Sequence, residues 1–281
     1  MTHRVLIVGV TRNCSKKILN EHKILKDAFS EFEQEFYFVE SDSNDDTLSY
    51  LKLLDEEFEN FSYKSLGELK SKIPNRVSRI TYCRNKYLEY FESRVREFEY
   101  DLVVVADLDN VNKKLTRKSV SSCIAIDAWS ACTANQRGPY YDIYALRAKG
   151  WSEIDINQEH NYLKSLGKSP FMNFYLSVIR KMFRKRGSEP FLVDSAFGGC
   201  AIYKASELLN HRYLEFDEVG ELQCEHVGLH NSMNKSGAKI YLVPTFINAN
   251  WTQNSWRALV KFMGLILLGE RYYHMRNERI M

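Results

Sequence analysis

Leu102-Val103-Val104-Val105-Ala106-Asp107-Leu108-Asp109 is the stretch on which the fold turns. Five apolar, mostly β-branched residues in a row leave no polar side for water, so the segment reads as a strand buried on both faces, as inside a parallel sheet. It stops at two carboxylates one residue apart, and on an extended chain that spacing puts both on the same side. Working outward, Val5 to Val10 is a second buried run, and Phe36 to Glu40 a third. Between them Ile18, Leu19, Ile24, Leu25, Ala28 and Phe29 recur at helical spacing from about Ser15 to Phe32. Ser41 to Thr47 is rich in turn and capping residues and leads into an amphipathic helix from Leu48. Phe58 to Pro74 has no regular pattern, and a long helix follows from about Arg76 to Glu97, with Ile80, Tyr87, Leu88, Phe91 and Val95 on one stripe. Alternating β and α units predict an α/β fold with one doubly wound, mostly parallel sheet and helices on both faces. Ligands of such sheets bind at the carboxyl ends of the strands, where both acidic clusters fall.

The second half is less regular and predicts a mixed sheet. Cys123 to Ile126 reads as a strand, Phe197 to Tyr203 as a strand entered through Gly198-Gly199, and Lys239 to Val243 as a strand stopped by Pro244. A helix from Phe171 to Phe183 ends in Arg184-Lys185-Arg186-Gly187. With 44% hydrophobic and 27% charged residues over 281 positions, the chain is too apolar for a disordered protein and long enough for a large core. A net charge of +3 gives no case for nucleic acid as a partner. The 6 cysteines form no CxxC pair and no zinc-like spacing, which predicts buried thiols in a reducing, cytoplasmic setting. The opening residues do not read as a signal peptide, and no apolar stretch reaches the ~18 residues of a membrane span.

Several constellations have chemistry in them. Asp107 and Asp109 offer hard oxygen ligands suited to Mg²⁺ or Mn²⁺, which would in turn neutralise a diphosphate; the plainer reading is a solvated strand end. Glu40 and Asp42 can accept bonds from a base edge or ribose hydroxyls, while Ser43, Asn44 or Asp45 caps the next helix. No GxGxxG follows the first strand, which argues against a dinucleotide-binding domain. Arg79 and Arg84 lie where a guanidinium grips phosphate oxygens. Asp194 to Gly199 is a glycine-rich turn that lets backbone approach a ligand. If Cys224 to His230 is helical, His226 and His230 share a face beside Glu225 and can supply a metal ligand and a base, or else be satisfied core histidines. The order Glu-His is not HExxH, so a zinc protease is excluded.

Taken in order, the acidic turn Glu40–Thr47, the Arg79–Asn85 helix, Asp107 with Asp109, Tyr140–Arg147, Asp194–Gly199 and Cys224–His230 resemble the GT-A glycosyltransferases. The nearest likeness is to the family of the cryptococcal capsule-associated mannosyltransferase and its bacterial polysaccharide-synthesis relatives. The resemblance implies a GT-A domain over residues 1–250, with a nucleotide-sugar half (1–110) and an acceptor half (111–250). It implies a nucleoside diphosphate sugar donor, UDP or GDP, held by Glu40, Asp42, Arg79, Arg84 and Asp107. It implies Mn²⁺ or Mg²⁺ on Asp107, Asp109 and His226, with His230 as the substitute. A glycan or lipid-linked acceptor would meet Arg147, Asp194, Gly198 and Gly199, and Glu225 and Asp142 would be catalytic. Cys224-Glu225-His226 departs from the Glu-Asp of inverting relatives, and the named family mostly retains, so retention is the expectation.

Residues 251–281 read as a C-terminal helical extension. Ala258 to Leu268 is apolar, is followed by Arg271, Arg276 and Arg279, and is flanked by Trp251, Trp256, Tyr272 and Tyr273. That pattern fits a helix lying peripherally on a membrane where lipid-linked acceptors reside, or one closing the core or a homo-oligomer face. Two rival functions remain. A nucleotidyltransferase needs a richer phosphate loop than Gly9-Val10-Thr11-Arg12. A catalytically silent carbohydrate-binding or scaffolding protein of the same fold is the alternative.

Overall fold

The computed structural model describes residues 3–269, 271 and 272. In the first part, β1 (Arg4–Thr11), α1 (Lys17–Ala28), β2 (Glu33–Glu40), α2 (Thr47–Glu57), β3 (Phe61–Ser65), α3 (Arg76–Arg94) and β4 (Leu102–Ala106) follow one another. Next come α4 (Arg117–Ile124), β5 (Ala131–Gln136), α5 (Ile156–Ser165) and α6 (Pro170–Phe174). A π-helical turn (Tyr175–Ile179) joins α6 to α7 (Arg180–Met182), so the helix expected over Phe171 to Phe183 is one rod with a wide middle turn. β6 (Phe191–Val193), β7 (Cys200–Lys204), α8 (Ala205–Leu208), α9 (Glu225–Lys235), β8 (Ile240–Ala249) and α10 (Gln253–Leu268) complete the chain.

All eight strands make one mixed sheet in the order β3-β2-β1-β4-β7-β5-β8-β6. β3, β2, β1 and β4 run parallel, and β7 is antiparallel to both β4 and β5. β5 and β8 are parallel, and β6 closes the edge antiparallel to β8. Because side chains alternate along a strand, each buried run feeds two cores. Leu6, Val8, Val103 and Val105 pack with α3 and α9 on one face, while Val5, Ile7, Leu102, Val104 and Ala106 pack with α1 and α4 on the other. This is why the strands show no polar alternation.

Three expectations change. Cys123 to Ile126 is not a strand. It ends α4, which Thr116 caps by accepting from the Ser119 N–H, and Val120 and Cys123 bury at helical spacing. A four-residue apolar run cannot by itself choose between helix and strand. Pro244 does not stop β8. The β5–β8 register shifts between Thr133 and Asn135, and proline, with no N–H to donate, is tolerated at such an irregularity. The patternless stretch after Phe58 holds β3, an edge strand on β2 that needs only one buried face.

The parallel order brings the carboxyl ends of β1, β2 and β4 to one rim, so Thr11–Cys14, Ser41–Asp42 and Asp107–Asp109 face a common cleft. α10 packs on α6 and the π turn. Of its expected flanks, Tyr273, Arg276 and Arg279 lie outside the described residues. No described helix is long and apolar enough to cross a membrane.

Candidate active site

The cleft at this rim has a volume of about 530 Å³. α3 starts at Asn75, whose side chain accepts from the N–H groups of Val77 and Ser78. From that cap, Arg76, Arg79, Ile80, Cys83 and Arg84 fall on one helix face and line the cleft. Arg84 is at its centre. Its guanidinium, buried, donates to Asp107 at 3.1 Å and to Glu225 at 3.1 Å, and also to the Tyr87 hydroxyl. It also lies over the rings of Phe197 and Tyr213. A planar fork fixed by two carboxylates and two rings has little freedom left.

Two carboxylates, Asp107 and Glu225, bond this arginine, and two more, Asp109 and Asp142, line the same cleft. Burial pushes the Asp107 carboxyl up to about 7; Arg84 opposes the rise, and repulsion from Asp109, Asp142 and Glu225 adds to it. Burial likewise raises Asp142 to about 6, against the Gly198 N–H that donates to its Oδ2 at 2.9 Å. Asp109 is exposed at the mouth. The surplus of negative charge is what a divalent cation neutralises, and the oxygen donors suit Mg²⁺ or Mn²⁺. His226 supports the fit: both ring nitrogens are buried without a hydrogen-bond partner. Its ring stacks on Phe197 at 3.8 Å, and burial holds it neutral, so a nitrogen lone pair is available. Among the described residues no three acidic, imidazole or thiol side chains gather closely enough to hold an ion by themselves.

His230 takes the plainer role. Its Nδ1 bonds the Ser195 hydroxyl and its Nε2 the Tyr203 hydroxyl, both within 2.9 Å, so it has no nitrogen left for a metal. It does share a face with His226, as the i, i+4 spacing predicts. On the donor side, Asp42 and Arg79 line the cleft, but each is tied internally. Asp42, at φ 59°, accepts from the N–H groups of Leu69 and Lys70, and Arg79 donates to the Ile73 and Pro74 carbonyls. Glu40 is not at the cleft wall. It is buried, accepting from the Ser43 N–H and the Ser65 hydroxyl, so it shapes the acidic turn rather than facing a ligand.

The acceptor-side residues also divide. Arg147 is turned into the protein, ion-paired with Asp155 at 2.6 Å and donating to the Tyr144 and Leu146 carbonyls. Asp194 lies in a second, separate cavity beside Leu214, Asn231 and Lys235. Neither lines the cleft; an isolated antiparallel bridge pairs Arg147 with Ser195, next to Asp194. Gly198 and Gly199 act through backbone. Both have positive φ, and a Cβ on Gly198 would come within 2.4 Å of the Ala134 carbonyl oxygen. Only glycine lets the turn present its N–H to Asp142.

A buried polar chain links the two sides. Glu21 accepts from the Asn112 N–H and side-chain amide, and Asn112 donates to the Asp107 carbonyl. Asn248 donates to Asn112 and to the Gly198 carbonyl, and Gln136 joins both. Residues on one rim thus fix residues on the other. Sequence reasoning missed Arg12, Asn13, Arg76, Tyr141, Tyr144 and Phe197 in the cleft wall. Arg12 and Asn13 had a usable signal, since they follow a strand's carboxyl end, and the three aromatic residues fall inside the motif segments Tyr140–Arg147 and Asp194–Gly199.

No family model matches the chain, and no curated protein matches it. Solved structures do. The mannosyltransferase PcManGT from Pyrobaculum calidifontis, in complex with GDP-Man and Mn²⁺, is 12% identical with a TM-score of 0.53, over 98% of this chain and 65% of that one. GalNAc-T7 with UDP, GalNAc and Mn²⁺ is 15% identical with a TM-score of 0.49, over 97% and 49%. A TarS structure from S. aureus is 14% identical with a TM-score of 0.46, over 94% and 64%. The fold is therefore that of the GT-A glycosyltransferases, a mixed α/β sheet flanked by helices. The chain spans somewhat under two thirds of the length of the mannosyltransferase structure it matches.

Proposed function

We propose that the chain is a metal-dependent glycosyltransferase moving a sugar from a nucleoside diphosphate, UDP or GDP, to a hydroxyl of a glycan or lipid-linked acceptor. One observation supports this above others: four carboxylates, two of them bonded to a buried arginine, line one cleft at the carboxyl edge of the sheet together with a neutral imidazole whose nitrogens have no hydrogen-bond partner. Asp107, Asp109 and His226 would hold Mn²⁺ or Mg²⁺ together with the donor diphosphate. Bound there, the ion supplies Lewis-acid stabilisation of the charge on the leaving diphosphate. The ordered motifs favour the capsule-associated, mannosyltransferase-like branch of the fold, acting in polysaccharide synthesis.

Arg84 has a positioning role. Its N–H groups are committed to Asp107 and Glu225, so it aligns the metal side of the cleft with the sugar side. Direct charge on the diphosphate falls to the exposed guanidiniums of Arg12 and Arg76 at the cleft wall. With retention no strong external base is needed, and Glu225, held by Arg84, would steady an oxocarbenium-like sugar. Inversion is the second reading and has its own support: Asp142, with a carboxyl at about 6 and an N–H holding one oxygen, is poised to take an acceptor proton near neutrality.

Calorimetry with UDP and with GDP, each with and without Mn²⁺, tests the proposal; metal-dependent binding is the expected result. Hydrolysis of a panel of UDP-, GDP- and CMP-sugars then identifies the donor, and NMR of the anomeric product separates retention from inversion. Absence of any metal-dependent nucleotide binding would leave the silent carbohydrate-binding alternative in its place.

A further inference from the structure

α10 is apolar on two sides. Its inner stripe of Ala258, Leu259, Phe262 and Leu265 packs on Phe174, Val178 and Ile179. Its outer stripe, Trp256, Val260, Met263 and Leu267, is 55%, 64%, 52% and 76% exposed. The spacing i, i+4, i+7, i+11 makes this a continuous ridge. Aromatic rings extend it: Trp256 contacts Trp251, which contacts exposed Phe183. Large contiguous apolar patches on a protein surface mark contact sites.

The charge around the ridge is one-sided. Residues 166–188 and 245–269, which pack together through α6, the π turn and α10, contain eight Lys or Arg and no Asp or Glu. α5, the neighbouring helix, brings one carboxylate, Glu159, and it is ion-paired with Lys181. Arg180, Lys185 and Arg257 are exposed. The whole chain carries only +3, so these two segments are far more cationic than the chain as a whole, with exposed Glu189 at their border.

We infer that this face docks on the surface of an anionic lipid bilayer, with the α10 ridge entering the headgroup region and the cations meeting lipid phosphates. A second copy of the chain is the poorer occupant. A two-fold contact would set the same cationic face against itself. The inference does not depend on sugar transfer, and its test needs no donor.

The test is co-sedimentation of the full chain with phosphatidylcholine vesicles, with or without phosphatidylglycerol, at low and high salt. Binding is expected only to the anionic vesicles and is expected to weaken with salt. Val260→Asp with Met263→Asp, on exposed positions, should lower the bound-to-free ratio at least about tenfold while leaving the melting temperature unchanged. Arg180→Glu with Lys185→Glu should give a drop of about tenfold or more and flatten the salt dependence. Failure of the wild-type chain to sediment with anionic vesicles at low salt would overturn the inference. So would a dimer, seen by sedimentation velocity, that the ridge variant breaks while vesicle binding stays as before.

Discussion

Asp109 and Arg84 line the same cleft but differ in what the fold needs from them. Asp109 is exposed and has no structural bond to lose, so Asp109→Asn should cut metal-dependent turnover by about a hundredfold or more while thermal melts overlay those of the wild type. Arg84 is buried between Asp107 and Glu225. Arg84→Met strands both carboxylates, and removing one partner of a buried ion pair costs about 3–5 kcal/mol. Urea denaturation should show that loss, and adding Glu225→Gln to the same chain should recover part of it. His226 and His230 make the same point from the other side. They stand one turn apart on the same helix, yet one ring is satisfied by two hydroxyls and the other faces the cleft with none.

Among the elements, β4 and α3 give the site its frame, and α1 holds it from behind the sheet. Glu21 on α1 is buried against Asn112, and burial lifts its carboxyl from the ordinary 4.5 to about 7. The folded chain keeps a proton here that the unfolded chain releases at lower pH. Stability from this group is therefore full below about pH 4.5 and declines as pH rises to about 7. Glu21→Gln removes that titration, so the melting temperature of the variant should gain on the wild type between about pH 5 and pH 8. A constant difference across that range would show that Glu21 ionises normally. The loop after β4 was legible because a strand end needs no tertiary information to be recognised. The parts of the second half that were misread, Cys123–Ile126 and the passage through Pro244, are short segments where helix, strand and bulge have similar local preference.

For the whole molecule, the notable imbalance is electrostatic. Asp107 and Asp142 are both raised, to about 7 and about 6, first by burial and then by the carboxylates that share the cleft. A cation must displace their protons to bind, so it competes better as pH rises. Adding Mn²⁺ should raise the melting temperature more at about pH 8 than at about pH 5, and Asp109→Asn should remove most of that difference. A Mn²⁺ effect equal at both values would mean that the ion binds elsewhere. The segments around α10 carry the reverse sign, so the molecule is anionic where a metal-bound diphosphate would sit and cationic around α10.

The α/β class, the parallel first half and the acidic rim followed from sequence alone, because buried strands are written as uninterrupted apolar runs and their carboxyl ends are where ligands collect. Which polar residues face the cleft was decided by tertiary structure. Glu40 and His230 satisfy neighbours distant in sequence, Arg147 turns inward onto Asp155, and Gly198 reaches Asp142 across 56 positions of sequence. A side chain's type limits the bonds it can make; the partners that surround it in three dimensions determine which of those bonds remain for a ligand.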